Sequence, residues 1–236
     1  MFNDKPVISN QHGALAMAFI PFLYGMFAST PTLNHLFLGL AWLFLYLFSY
    51  PFLSLFSKKP TARNKKWALI YVLISLLCAI PVLLAIPQIL QFLALILPLA
   101  AIQIYYAKQR DERNLLNDIA GYLTFGVIGM ASFYLAEQQF NWEILIHPTV
   151  FFIGATLYVK SMVRERKNPL YMELSIGFHL LFSIIYLMFG YLWLFAVYLI
   201  ALARAIVVPS FGWNVKQVGM FEFPVILIFM ICLIFG

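Results

Sequence analysis

Charge is scarce in this chain. Only 10% of its 236 residues are Asp, Glu, Lys or Arg, while 64% are hydrophobic and the mean hydropathy is +0.91. A soluble globule of this length could not cover itself with so little polar surface, so the composition excludes the soluble classes and specifies an integral membrane protein. Cysteine is almost missing too. Cys78 and Cys232 each lie in a lipid-length apolar run without metal-ligand spacing and read as packing residues. No HExxH, paired DxxxD, GxSxG or Gly-rich phosphate loop occurs, so metal, serine-hydrolase and nucleotide chemistry lack their signatures and no metal site is expected. No connection is long enough to hold a soluble domain; a single transmembrane domain over residues 1–236 is expected. No cleavage pattern stands out after the first apolar run, which reads as a retained helix.

What the chain does have is a set of long uncharged runs. A spanning helix needs about 20 residues to cross roughly 30 Å of hydrocarbon. Residues 6–57 carry no Lys, Arg, Asp or Glu and hold two spans, split at Ser29-Thr30-Pro31-Thr32. Residues 67–107 hold two more, with Pro81 and Pro87-Gln88 marking a tight reversal. Residues 115–136 and 144–163 supply one each, residues 170–208 divide near Phe189-Gly190, and 221–236 make a short last helix. The expected fold is therefore all-α, a membrane bundle of nine transmembrane helices.

The net charge of +6 does not mark a nucleic-acid surface, because the cations sit at the ends of apolar runs rather than along one face. Lys58, Lys59, Arg63, Lys65 and Lys66 lie between spans two and three, and Lys108, Arg110 and Arg113 between four and five. Lys160, Arg164, Arg166 and Lys167 follow span six, Arg204 and Lys216 flank the connection between eight and nine, and Lys5 precedes span one. The intervening connections hold Glu137, Glu143 and His147 but no Lys or Arg, an alternation that a miscounted helix would destroy. The positive-inside rule then puts the N-terminus inside and the C-terminus outside. Trp67, Trp142, Trp193 and Trp213 fall near predicted span ends as interfacial aromatics; Trp42 alone lies deep.

A few polar residues stand where lipid should be. Asn10-Gln11-His12-Gly13 opens the first span, either as a helix cap with a glycine for close packing or as Gln11 and His12 hydrogen-bonding a ligand headgroup. Arg110, Arg113 and Asn117 would share one helical face, with Asn114 and Asp118 on an adjoining one. Asp118, one turn inside an apolar run, calls for a cationic partner such as Lys160 or Arg204. Lys160 and Arg164, one turn apart, can point into the same crevice, whereas Arg166 and Lys167 suit anionic lipid. Glu173 and His179 lie in or near span seven, with His179 read as an interhelical hydrogen-bonding residue, and Glu222 begins the last helix.

Asn10-Gln11-His12-Gly13-Ala14 followed by Ile20-Pro21-Phe22-Leu23-Tyr24-Gly25 resembles the opening signature of the YwiC-like family of bacterial multi-pass membrane proteins. Arg113 to Gly121, Gly154 to Arg166 and Val218 to Glu222 resemble its internal signatures, so the similarity spans nearly the whole chain. More distantly, nine helices, an inside N-terminus, Pro21 and Gly25 in the first span and polar loops after spans two and six resemble the UbiA-like intramembrane prenyltransferases. That group holds magnesium and a prenyl diphosphate on aspartate-rich motifs in those two loops. Here Ser57 to Arg63 contains no carboxylate, and Lys160, Arg164 and Glu165 stand where the second motif would have asparagine, arginine and aspartate.

The resemblance and the cations together imply a cytoplasm-facing cavity for an amphipathic anion, a prenyl phosphate or other anionic lipid, bound without a metal. In that reading Arg113, Lys160 and Arg164 hold the anion, Gln11 and His12 hydrogen-bond it, and Asp118 or Glu222 orients a cation or moves a proton. If the protein is an enzyme, it transfers a prenyl or related group by stabilising the departing anion. The same residues would serve a transporter of a small anion or lipid, and a non-catalytic assembly protein would need none of them.

Overall fold

The computed structural model describes residues 5–9, 12–56 and 61–236, the His12 side chain excepted. Among them are nine α-helices and no strand: α1 His12–Phe27, α2 Leu33–Ser54, α3 Ala62–Ala85, α4 Leu93–Gln109, α5 Leu115–Glu137, α6 Glu143–Val163, α7 Pro169–Met188, α8 Leu192–Val207 and α9 Val215–Phe235. Eight apolar segments are long enough to cross a membrane; α1, at 16 residues, is shorter than a span. The helices expose large apolar side chains along their length, Leu76, Leu77 and Leu84 on α3 and Leu180, Leu181 and Ile184 on α7 among them. Faces of that kind need lipid as their solvent, and in lipid only the internally hydrogen-bonded helix satisfies the backbone.

Short polar residues start several helices, and left-handed residues close two of them. Thr61, Asn114, Asn168 and Asn214 each accept a backbone N–H at an N-terminus, and Asn214 forms a capping box with Gln217. Arg110 and Gln138 close α4 and α5 at φ of 59° and 52°, and Gly190 turns the chain between α7 and α8 at φ 80°. These caps correct four expectations. Pro81 lies inside α3, and the reversal falls at Ile86 before a 3-10 segment, Pro87–Phe92; a proline within a membrane helix is tolerated because neighbouring groups re-satisfy the freed carbonyl. α3 begins at Ala62, so Trp67 is a buried core residue inside it. Arg110 to Arg113 form a turn, so Arg110, Arg113 and Asn117 share no helical face. The last helix starts at Val215 and runs 21 residues, which moves Glu222 from its first residue to two turns inside.

The chain divides into two compact units, Met1–Thr149 and Val150–Gly236, with the division inside α6. In the first, α2 packs chiefly on α3 and α1 on α5. Trp42 of α2, buried at 4% exposure, donates its indole N–H to the Ala18 carbonyl of α1 at 2.9 Å, which explains an otherwise deep tryptophan. His35 of α2 ties α2 to α5: its Nδ1 accepts the Thr32 backbone N–H at 3.0 Å, so Nε2 carries the hydrogen and donates to the Ser132 carbonyl at 3.0 Å. His35→Ala is expected to cost about 1–3 kcal/mol through those lost bonds, read as a lower thermal midpoint in detergent. An unchanged midpoint would mean the tie is idle. The segment before α1 lies on α3: Arg63 donates to the Lys5 and Pro6 carbonyls, and Val7 packs on Trp67 and Tyr71.

In the second unit the rings of Phe151 and Phe229 stack at 3.8 Å, and Tyr158, Met162, Ala205, Val208 and Val218 form a further buried cluster. This core surrounds the polar residues described next.

Candidate functional site

Four helices of the second unit bring polar side chains to one place. Arg204, in the last turn of α8, is 4% exposed; Glu222, from α9, is 7% exposed. Arg204 Nη1 donates to both carboxylate oxygens of Glu222, at 2.7 and 2.6 Å. The guanidinium carbon lies 4.1 Å from the ring centroid of Tyr158 on α6, a cation–π contact in a dry setting. His179, in the middle of α7, completes the group. Its Nδ1 is 2.6 Å from the Ser175 carbonyl, and because a carbonyl only accepts, Nδ1 carries the hydrogen. The Nε2 lone pair then faces Arg204 Nη2 at 3.5 Å, a loose contact. Three buried polar atoms of this cluster have no hydrogen-bond partner among the described residues: Arg204 Nε, Tyr158 Oη and Ser175 Oγ.

The first unit offers a different feature. An apolar groove of about 530 Å³ runs along α4 and α5, lined by Leu99, Ile102, Tyr105, Leu116, Ile119 and Leu123 among others. The turn joining the two helices carries exposed Lys108, Arg110 and Arg113. The carboxylate of Asp111 in the same turn accepts the Asn114 side-chain amide at 2.7 Å.

The expected site residues fall as follows. Gln11 lies outside the described residues; His12 begins α1, with its side chain likewise outside them. Arg113 is exposed in the turn before α5, and Asp118 is half-buried in the first turn of α5, nearer the helix entrance than a deep intramembrane carboxylate would be. Lys160 is half-buried in the last turn of α6, and Arg164 is exposed just past its end, its backbone N–H bonded to the Lys160 carbonyl at 3.1 Å. Glu222 is the expected residue that the structure draws into a defined cluster. Arg204 was offered as a partner for Asp118; the carboxylate it holds is that of Glu222. His179, expected as an interhelical hydrogen-bonding residue, makes its short hydrogen bond within α7, to the Ser175 carbonyl, and meets α8 only through the loose 3.5 Å contact with Arg204. Arg204, Tyr158 and Ser175 went unremarked as site residues, yet one signal was available: an arginine 13 residues into the apolar α8 demands an acidic partner. Among the described residues no group of three or more His, Cys, Asp or Glu side chains is placed to hold a metal ion.

Apolar spans with lipid-facing surfaces and a buried polar cluster define a multi-pass helical membrane protein. The chain belongs to the YwiC-like protein family, whose model matches residues 8–133. A Haemophilus influenzae protein described as uncharacterized is 46% identical over 233 residues, covering 98% of each chain. A Bacillus subtilis protein described as uncharacterized protein YwiC is 38% identical over 221 residues, covering 92% of each. No solved structure matches the chain.

Proposed function

We propose that the protein is a UbiA-like intramembrane prenyltransferase relative that binds an anionic prenyl or other lipid phosphate from the cytoplasmic leaflet of the bacterial cytoplasmic membrane. The observation that supports this most is the apolar groove of about 530 Å³ on α4 and α5, beside a turn bearing Lys108, Arg110 and Arg113. A lipid tail suits the groove and its phosphate suits the cations. Lys160 and Arg164 add a second cationic pair, Gln11 and His12 add hydrogen-bond donors, and Asp118 or Glu222 orients a cation or moves a proton. Cations rather than a metal meet the phosphate in this reading.

The test is mass spectrometry of lipids that copurify with detergent-solubilised protein. Wild type is expected to retain a prenyl phosphate at least tenfold better than Lys160→Ala/Arg164→Ala or a groove-filling Leu123→Trp variant. Equal lipid profiles in all three would refute the reading. Transport of a small anion or lipid is the second reading, favoured by the buried, charge-balanced Arg204–Glu222 pair within the spans.

A further inference from the structure

We infer that the Nε–Nη2 edge of Arg204 is a binding site for a phosphate-type oxyanion, and that the anion enters together with a proton. The ligand class rests on the proposed function; the residues that take it do not, since Arg204, Tyr158 and Ser175 have no part in its prenyl-phosphate scheme.

In a guanidinium group, Nε–H and one Nη2–H point the same way and make a two-donor fork matched to a phosphate or carboxylate edge. Glu222 leaves that fork alone. Both of its oxygens are on Nη1, at 2.7 and 2.6 Å, so the carboxylate anchors the guanidinium from its other end. Nε is without a partner among the described residues, and Nη2 has the histidine lone pair at 3.5 Å. The Tyr158 ring centroid lies 4.1 Å from the guanidinium carbon. The hydroxyls of Tyr158 and Ser175, both residues 0% exposed, are likewise without partners and can donate. Native interiors leave few buried donors unspent, and an unspent guanidinium Nε with two further unspent hydroxyls, on the tyrosine that contacts it and on the serine whose carbonyl holds His179, calls for an acceptor.

Charge balance supplies the second half of the inference. Arg204 and Glu222 already sum to zero, so an oxyanion adds an uncompensated negative charge to a buried centre, at high cost. The titratable or charged groups that meet Arg204 are Tyr158 from α6, His179 from α7 and Glu222 from α9. Tyr158 cannot lower the charge, whereas His179 Nε2 or the Glu222 carboxylate can each accept a proton. Uptake of about one proton with the anion restores the balance.

The experiment is calorimetric titration of the full chain in zwitterionic-lipid nanodiscs, with farnesyl monophosphate in one arm and inorganic phosphate in the other. Each titration is run at one pH in two buffers of different ionisation enthalpy, which counts protons. Wild type is expected to bind with uptake of about one proton beyond that assignable to the ligand itself. Arg204→Lys, which keeps the charge facing Glu222 but loses the fork, should bind at least tenfold more weakly. Glu222→Gln should still bind, with altered proton uptake. Tighter binding of farnesyl monophosphate points to a lipid headgroup, and equal binding of the two to a free phosphate. Binding that is unchanged in Arg204→Lys but lost in Lys160→Ala/Arg164→Ala overturns this inference and leaves the proposed function standing. No binding of either probe to wild type overturns both.

Discussion

Replacing Glu222 by leucine is expected to cost about 3–5 kcal/mol of stability, the usual result when one partner of a buried ion pair is removed. The reason is the arginine left behind. Arg204 is 4% exposed, and beyond Glu222 its contacts are a tyrosine face at 4.1 Å and a histidine nitrogen at 3.5 Å, neither of which neutralises a charge. It cannot reach water without unpacking the end of α8, where Ala205 and the following Val208 lie buried against Tyr158 and Met162. The pair itself need not be stabilising, because apolar residues of similar size commonly replace a buried ion pair with little loss. Arg204→Leu/Glu222→Leu should therefore be more stable than Glu222→Leu alone, and Glu222→Gln, whose amide oxygen still accepts from Nη1, should fall between. Reversible unfolding in mixed micelles, arranged as a double-mutant cycle, measures all three. A Glu222→Leu protein as stable as wild type would show that the two residues are not paired in the membrane.

How far this centre was legible in the sequence depends on what each residue needs. Span positions follow from hydrophobic length and from breakers, so Pro31, Gly190 and the Gln138 region separate helices where expected. Ends were harder to place wherever a cap outweighs charge. Asn214 with Gln217 starts α9 at Val215, six residues ahead of the apolar stretch beginning at Phe221, across Lys216, because the capping box satisfies the first backbone donors. That extension places Glu222 two turns inside the helix, and counting apolar residues cannot reveal it. The sequence marks Arg204 for its topological sign and as a candidate partner for Asp118, but an arginine within an apolar helix demands an acidic partner of its own, and the fold makes that Glu222. Tyr158 and Ser175 carried no signal: a tyrosine and a serine in membrane helices are ordinary until the fold places them beside a guanidinium.

The second large effect is expected at a helix crossing. Gly129→Leu should abolish folding of the first unit, because a Cβ at position 129 would lie 2.5 Å from the Pro21 carbonyl oxygen and 2.7 Å from its carbonyl carbon. Overpacking typically costs about 1–3 kcal/mol when side chains can move aside. Here the obstacle is backbone, so relief requires α1 and α5 to part. The contact is mutual, since a Cβ on Gly25 would collide with the Gly129 carbonyl, and Gly25→Leu should fail in the same way. Small residues on both sides let two membrane helices approach closely, and dispersion at that distance holds them where no hydrophobic force acts. α1 depends on this more than the longer helices do, being short of a full span and bonded to α2 through the Trp42 indole. Gly121→Leu, on the same α5 with nothing within 4 Å of its built Cβ, is the matched control for helix propensity and for added bulk. Gel filtration in detergent followed by thermal unfolding separates the cases: a monodisperse peak and normal midpoint for Gly121→Leu, aggregate or none for Gly129→Leu. Were both variants to behave like wild type, α1 would not lie against α5, and the anchoring of the chain's first helix would have to come from elsewhere.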